Sequence, residues 1–97
     1  MITDEFLKKK ILYLMLGLHS AYEIGIISRR GKSIVGKHTI YVDRFLKRFP
    51  VHEQGDARKV IEELIREGII ARVPKKHNGK IFIPREKIEE AKKIALG

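Results

Sequence analysis

Ninety-seven residues with a formal net charge of +9 make one small domain, 1–97, with chain for a single modest core and none for a two-lobed enzyme. Cysteine is absent, which excludes disulfides, thiolate catalysis and Cys-ligated zinc. Charged side chains make up 34%, with one Asn and one Gln, a balance typical of thermophile proteins, where thermolabile residues are avoided and ion pairs gain value.

The first helix is predicted from Asp4 to His19. Thr3 is placed to cap it, and Asp4 and Glu5 suit the positive end of its dipole. Leu7, Ile11, Leu14, Met15 and Leu18 form one stripe at helical spacing. Leu12 and Leu16 fall on the far side, so either the following segment covers them or a second copy does, through the first and last helices. The apolar run at 11–18, ILYLMLGL, follows three lysines as a signal-peptide core would, but Tyr22-Glu23 beyond it is a poor cleavage context. The run is also too short to span a bilayer. It is read as structure, in a soluble, cytoplasmic protein that binds no membrane.

Between 20 and 38, Tyr22, Ile24 and Ile26 alternate, SRRGK reads as a turn, and SIV is placed to return as a short strand, which suggests a hairpin. A second helix is predicted over Thr39 to Phe49, where Val42, Phe45, Leu46 and Phe49 stand at i, i+3, i+4 and i+7 before Pro50. PVHEQG reads as a linker. Asp56 is then the expected cap of a third helix with Ala57, Val60, Ile61, Leu64 and Ile65 on its buried face, and Gly68 is its expected left-handed stop. Ile69 to Val73 and Lys80 to Ile83 read as two strands joined through Asn78-Gly79, the strongest two-residue hairpin signal. A last helix is expected over Arg85 to Leu96, with Ile88, Ala91 and Ala95 inward.

The positive charge is concentrated in two places. Residues 29–50 carry +6 and residues 72–80 carry +4, leaving the rest of the chain at −1. A surface that binds a polyanion concentrates charge in this way, whereas charge kept for solubility is spread.

Gly31-Lys32-Ser33 copies the end of the phosphate-binding loop of ATP and GTP hydrolases. That loop needs a glycine five residues before its Gly-Lys pair, because backbone amides wrap the phosphates at fixed spacing. Ile26 occupies that position, with Gly25 one residue too early, and no hydrophobic strand ends in an aspartate. His19, His38, His52 and His77 are scattered, and no two have the i, i+4 spacing of a helical metal site. The expectation is therefore a binding protein without catalytic residues, metal or cofactor.

From Thr39 onward the chain resembles a winged-helix domain. The residues that carry the resemblance are ARKVIEELIREGIIARVP for a recognition helix and strand, and KKHNGKIFIP for a hairpin wing. Within that family the chain is similar to a group of small archaeal proteins. The shared features are Gly36-Lys37-His38-Thr39, Pro50-Val51-His52 with Gly55, and a wing bearing Pro74 and Gly79. The resemblance implies an α+β fold, a winged helix-turn-helix with a three-helix core, a β-hairpin wing and a C-terminal helix. It implies that the third helix enters the DNA major groove while the wing meets the neighbouring backbone.

On that footing Gln54 in the linker and Arg58, Lys59 and Arg66 on the third helix are expected to face DNA. Arg58 and Lys59 are taken to lie near its N-terminal end, where an arginine can pair with guanine. Glu62 and Glu63 share their face, and an Arg58–Glu62–Arg66 ladder of ion pairs is the alternative use of these charges. Lys75, Lys76 and Lys80 in the wing, and Arg29, Arg30, Lys32 and Lys37 before the second helix, are expected on phosphates. The expected function is binding of double-stranded DNA, as a transcriptional regulator. The rivals are structured RNA on a ribosomal assembly and a protein-docking role in a transcription or replication assembly.

Overall fold

The computed structural model describes residues 3–17, 34–73 and 79–97. Helix α1 spans Asp4–Met15, and Thr3 caps it as expected, its hydroxyl accepting from the Phe6 N–H at 3.1 Å. It stops at Leu16, and Gly17 follows with φ 70°. Leu7, Ile11, Leu12, Leu14 and Met15 are all buried, and Leu16 packs against the core. Leu12 therefore needs no second copy to cover it. The reason is tertiary: α1 packs against two helices at once, so more than one of its stripes turns inward.

Ile34 ties the next described segment to α1, its N–H donating to the Met15 carbonyl at 2.6 Å. Val35 forms a single parallel bridge with Ile83, so the SIV segment's described partner lies near the C-terminus of the chain. The other half of the expected hairpin, Tyr22 to Ile26, lies outside the described residues.

Ile40–Tyr41 is a strand, β1, where a helix is predicted, and helix α2 is only Val42–Leu46. The apolar stripe is right, since Val42, Phe45, Leu46 and Phe49 are all buried. Its ends are not, because the backbone of Ile40 and Tyr41 pairs with a strand remote in sequence. At the other end, Arg48 and Phe49 bond back three residues instead of four, tightening the chain out of α-helix.

Helix α3 runs Val51–Arg66, its N-cap Pro50 six residues earlier than the expected cap Asp56, so PVHEQG is no linker. Pro50 occupies the N-cap position with ψ 149°, and its carbonyl accepts from the Glu53 N–H at 2.9 Å. The early start is anchored by Glu53, which is 8% exposed and ion-paired to Lys10 of α1 at 3.2 Å. The Lys10 ammonium also lies 4.9 Å from the centre of the Phe49 ring. Ala57, Val60, Ile61 and Leu64 are buried and Ile65 partly so, as expected. Gly68, with φ 81°, is the left-handed stop that only glycine adopts cheaply, and it frees Ile69 and Ile70 to bond back to the Leu64 carbonyl.

Strand β2 is Ala71–Arg72 and β3 is Lys80–Phe82, both shorter than predicted. The described sheet is three-stranded and antiparallel, in the order β1-β3-β2. Its register pairs Ile40 with Ile81 and Tyr41 with Lys80 on one side of β3, and Ala71 with Phe82 and Arg72 with Ile81 on the other. The Val73 N–H donates to the Lys80 carbonyl at 3.0 Å, which continues the β2–β3 register by one residue, while Asn78 of the expected Asn78-Gly79 turn lies outside the described residues. A 3₁₀ turn at Arg85–Lys87 leads into helix α4, Ile88–Leu96, which packs on α1, with Ala91 buried and Ile88 and Ala95 partly buried against the core. The result is an α+β domain in which helices and a small sheet close on one core. None of the described helices is long and apolar enough to cross a membrane.

Candidate nucleic-acid interface

Shifting the start of α3 to Val51 changes which residues share a face. Arg58 now lies at mid-helix instead of near the N-terminal end. Val51, Gly55, Arg58 and Glu62 stand at i, i+4, i+7 and i+11, one stripe on a helix, and all are exposed. Lys59 and Arg66 are exposed beside that stripe. Val51 is an apolar side chain that is 85% exposed.

The expected ladder within α3 does not form. Arg58 Nη2 donates to Asp43 Oδ1 of α2 at 2.6 Å, and Glu62 pairs with Arg72 of β2. Glu63 and Glu67 lie 4.0 and 3.0 Å from the Lys8 ammonium of α1, so Glu63 is drawn toward that helix. Each of these acids is thus matched by a base from another element. Among the described residues Lys59 and Arg66 have no ion pair. Pairs this exposed are worth about 0–1 kcal/mol each, so an incoming phosphate displaces a carboxylate from Arg58 or Arg72 at little cost.

Gln54 is half-buried, and its Nε2 donates to the Phe49 carbonyl at 3.0 Å. That donor closes the turn between α2 and α3. Arg48 lies over the Phe45 ring, 5.7 Å from its centre, and desolvation there lowers its pKa from the usual arginine value without discharging it.

Two shallow depressions flank Arg58. One, of about 420 Å³, lies between Lys47 and Arg58 with Gly55 in its lining; the other, of about 260 Å³, runs from Arg58 to Tyr41, Arg72 and Gly79 at the root of the hairpin. Helix α2, not α3, is joined to the hairpin root here by a backbone bond, Val42 N–H to the Gly79 carbonyl at 2.5 Å. The Lys80 ammonium sits 5.1 Å from the centre of the Tyr41 ring, which is 42% exposed. Arg58, Arg72 and, through Tyr41, Lys80 thus border one continuous surface. Arg72, Val51 and Tyr41 join it although none is among the residues expected to meet DNA. Arg72 is legible from its basic stretch, and Val51 is hidden by the misplaced helix start.

Lys37 is not part of that surface. The N–H of Gly36 donates to the Ile83 carbonyl at 2.9 Å, and the Arg85 side chain lies against Gly36. This puts Lys37 with Arg85 at the end of β3 away from Gly79. Arg29, Arg30, Lys32, Lys75 and Lys76 lie outside the described residues. Among those described, no group of three or more His, Asp or Glu side chains could hold a metal ion.

A second surface is apolar. Phe6, 51% exposed, borders a groove of about 250 Å³ with Leu14 and Ala95, at the seam of α1 and α4. In comparisons with known proteins, no family model, no curated protein and no solved structure matches this chain.

Proposed function

We propose that the chain is a winged-helix protein that binds double-stranded DNA through α3 and the β2–β3 hairpin, in the role of a transcriptional regulator. The element order α1-β1-α2-α3-β2-β3 and the strand order β1-β3-β2 support that reading of the fold. The observation that carries the function is the shared surface: the exposed stripe of α3 adjoins the hairpin root, and the cations on it are either unpaired or held only by exposed carboxylates. Phosphate contacts would supply most of the affinity and the α3 stripe the sequence preference.

Structured RNA is the runner-up, favoured by Tyr41, an exposed ring beside a lysine that suits a stacked base. A protein partner on the Phe6 groove is the third reading.

Fluorescence anisotropy with a random-sequence duplex and a folded RNA, across a salt series, tests the proposal. The duplex is expected to bind more tightly, with a steep log–log salt dependence. Changing Lys75, Lys76 and Lys80 to alanine is expected to flatten that slope by about 0.9 for each phosphate that is no longer neutralised. Tighter RNA binding moves the protein to the RNA reading, and binding to neither removes nucleic acid as the partner.

A further inference from the structure

Gly55 is a glycine that the fold does not require. It lies inside α3, and a Cβ built on it meets nothing within 4 Å. Its φ is outside the left-handed region, so neither backbone geometry nor packing calls for the residue. An exposed helical glycine costs about 1 kcal/mol relative to alanine. The position is also not an arbitrary one. It lies one turn after exposed Val51 and one turn before Arg58, and it lines the depression of about 420 Å³ between Lys47 and Arg58.

We infer that Gly55 is the point of closest approach between α3 and the edge of a DNA base pair, and that it sets how deeply the helix seats in the groove. The inference rests on the proposed duplex binding and adds a specificity-determining position to it. A missing side chain lets a base edge reach the helix backbone. Arg58 on one side then meets the O6 and N7 acceptors of a guanine, and Val51 on the other packs on a thymine methyl, both patterns presented in the major groove. Val51 and Arg58 are seven positions apart, about 10 Å along the helix axis, so the two preferences fall about three base pairs apart. A methyl or larger group at 55 would hold the helix away from both.

Thermal denaturation and duplex binding of Gly55→Ala and Gly55→Leu, beside the unchanged protein, test this. Gly55→Ala is expected to raise Tm by about 4–8 °C, because alanine is the better helix former and has room. The same variant is expected to weaken duplex binding by about fivefold or more, and Gly55→Leu by more again, with Tm not below that of the unchanged protein. A raised Tm with unchanged affinity overturns the inference while leaving duplex binding in place. A lowered Tm overturns it too, since the glycine would then serve the fold. An unchanged protein that binds no duplex overturns both this inference and the proposed function.

Discussion

Phe45→Ala is expected to cost the domain about 3–5 kcal/mol, the range for emptying a fully buried aromatic site. The ring has 0% of its surface exposed and meets Phe49 edge-on, with centroids 5.6 Å apart at 64°. Helix α2 is only Val42–Leu46, far below the length at which a helix stands alone in water, so it exists because its side chains are anchored. Phe45 is the largest of those anchors and holds α2 in the core against α3. Small domains have about 5–15 kcal/mol in total, so the loss takes a large part of it. Circular dichroism melting should show Tm lowered by about 15–30 °C. Phe45→Leu, which keeps most of the volume, should cost less than about half as much. A loss below about 1 kcal/mol for the alanine variant would mean that α2 is not packed as described.

Arg58→Ala is expected to leave stability nearly unchanged and to weaken duplex binding by about 5- to 150-fold, the effect of removing one good pairing with a base edge. Its ion pair with Asp43 is exposed on both sides, 53% and 83%, and solvent screening leaves such a pair little value in the free protein. Asp43→Asn should act in the opposite direction. On the proposed reading it removes a carboxylate that would compete with DNA for the same guanidinium, and a negative charge from the surface proposed to meet phosphates. Affinity for duplex should rise, with the largest gain at low salt, where screening is weakest. Equal weakening by both substitutions would contradict the reading, because it would make the pair a structural strut and not a competitor. Anisotropy titrations of the two variants, with melting curves as the stability control, separate these outcomes.

The parts of the fold that could be read in the sequence are those whose signals are local. The stripe Ala57, Val60, Ile61, Leu64 repeats over several turns, and Gly68 marks its end by a conformation that few residues adopt. The start of α3 is obscured by imitation. Gly55-Asp56 looks like a linker and a cap, while the real boundary is Pro50, whose extended ψ leaves no capping side chain to recognise. Burial of Glu53 against Lys10 draws the helix back to that boundary, and the contact joins residues 43 positions apart. Strand β1 is hidden for a related reason: two residues have no periodicity of their own, and Ile40–Tyr41 continues the apolar pattern of α2. Leu12 reads as outward only until α3 and α4, remote in sequence, are packed on α1.

The candidate interface divides in the same way. Its basic composition is plain in the sequence, but the partners of its charges are not. Arg58 and Glu62 have the spacing to pair with each other, yet Asp43 and Arg72, brought close by the sheet and the helix turn, take them instead. Lys37, two residues before the predicted start of the second helix, goes to the other end of β3 because Gly36 bonds to Ile83.

The most direct test of the account is a ¹H–¹⁵N NMR titration of the full chain with a DNA duplex, following every assigned amide. The largest shifts are expected at Val51, Gly55, Arg58, Lys59 and Arg66 on α3 and at Gly79 and Lys80 at the hairpin root, with Phe6 and Leu96 unmoved. Shifts gathered instead around Phe6, Leu14 and Ala95, or an unchanged spectrum at saturating duplex, would contradict the claim that this protein binds DNA through α3 and the hairpin.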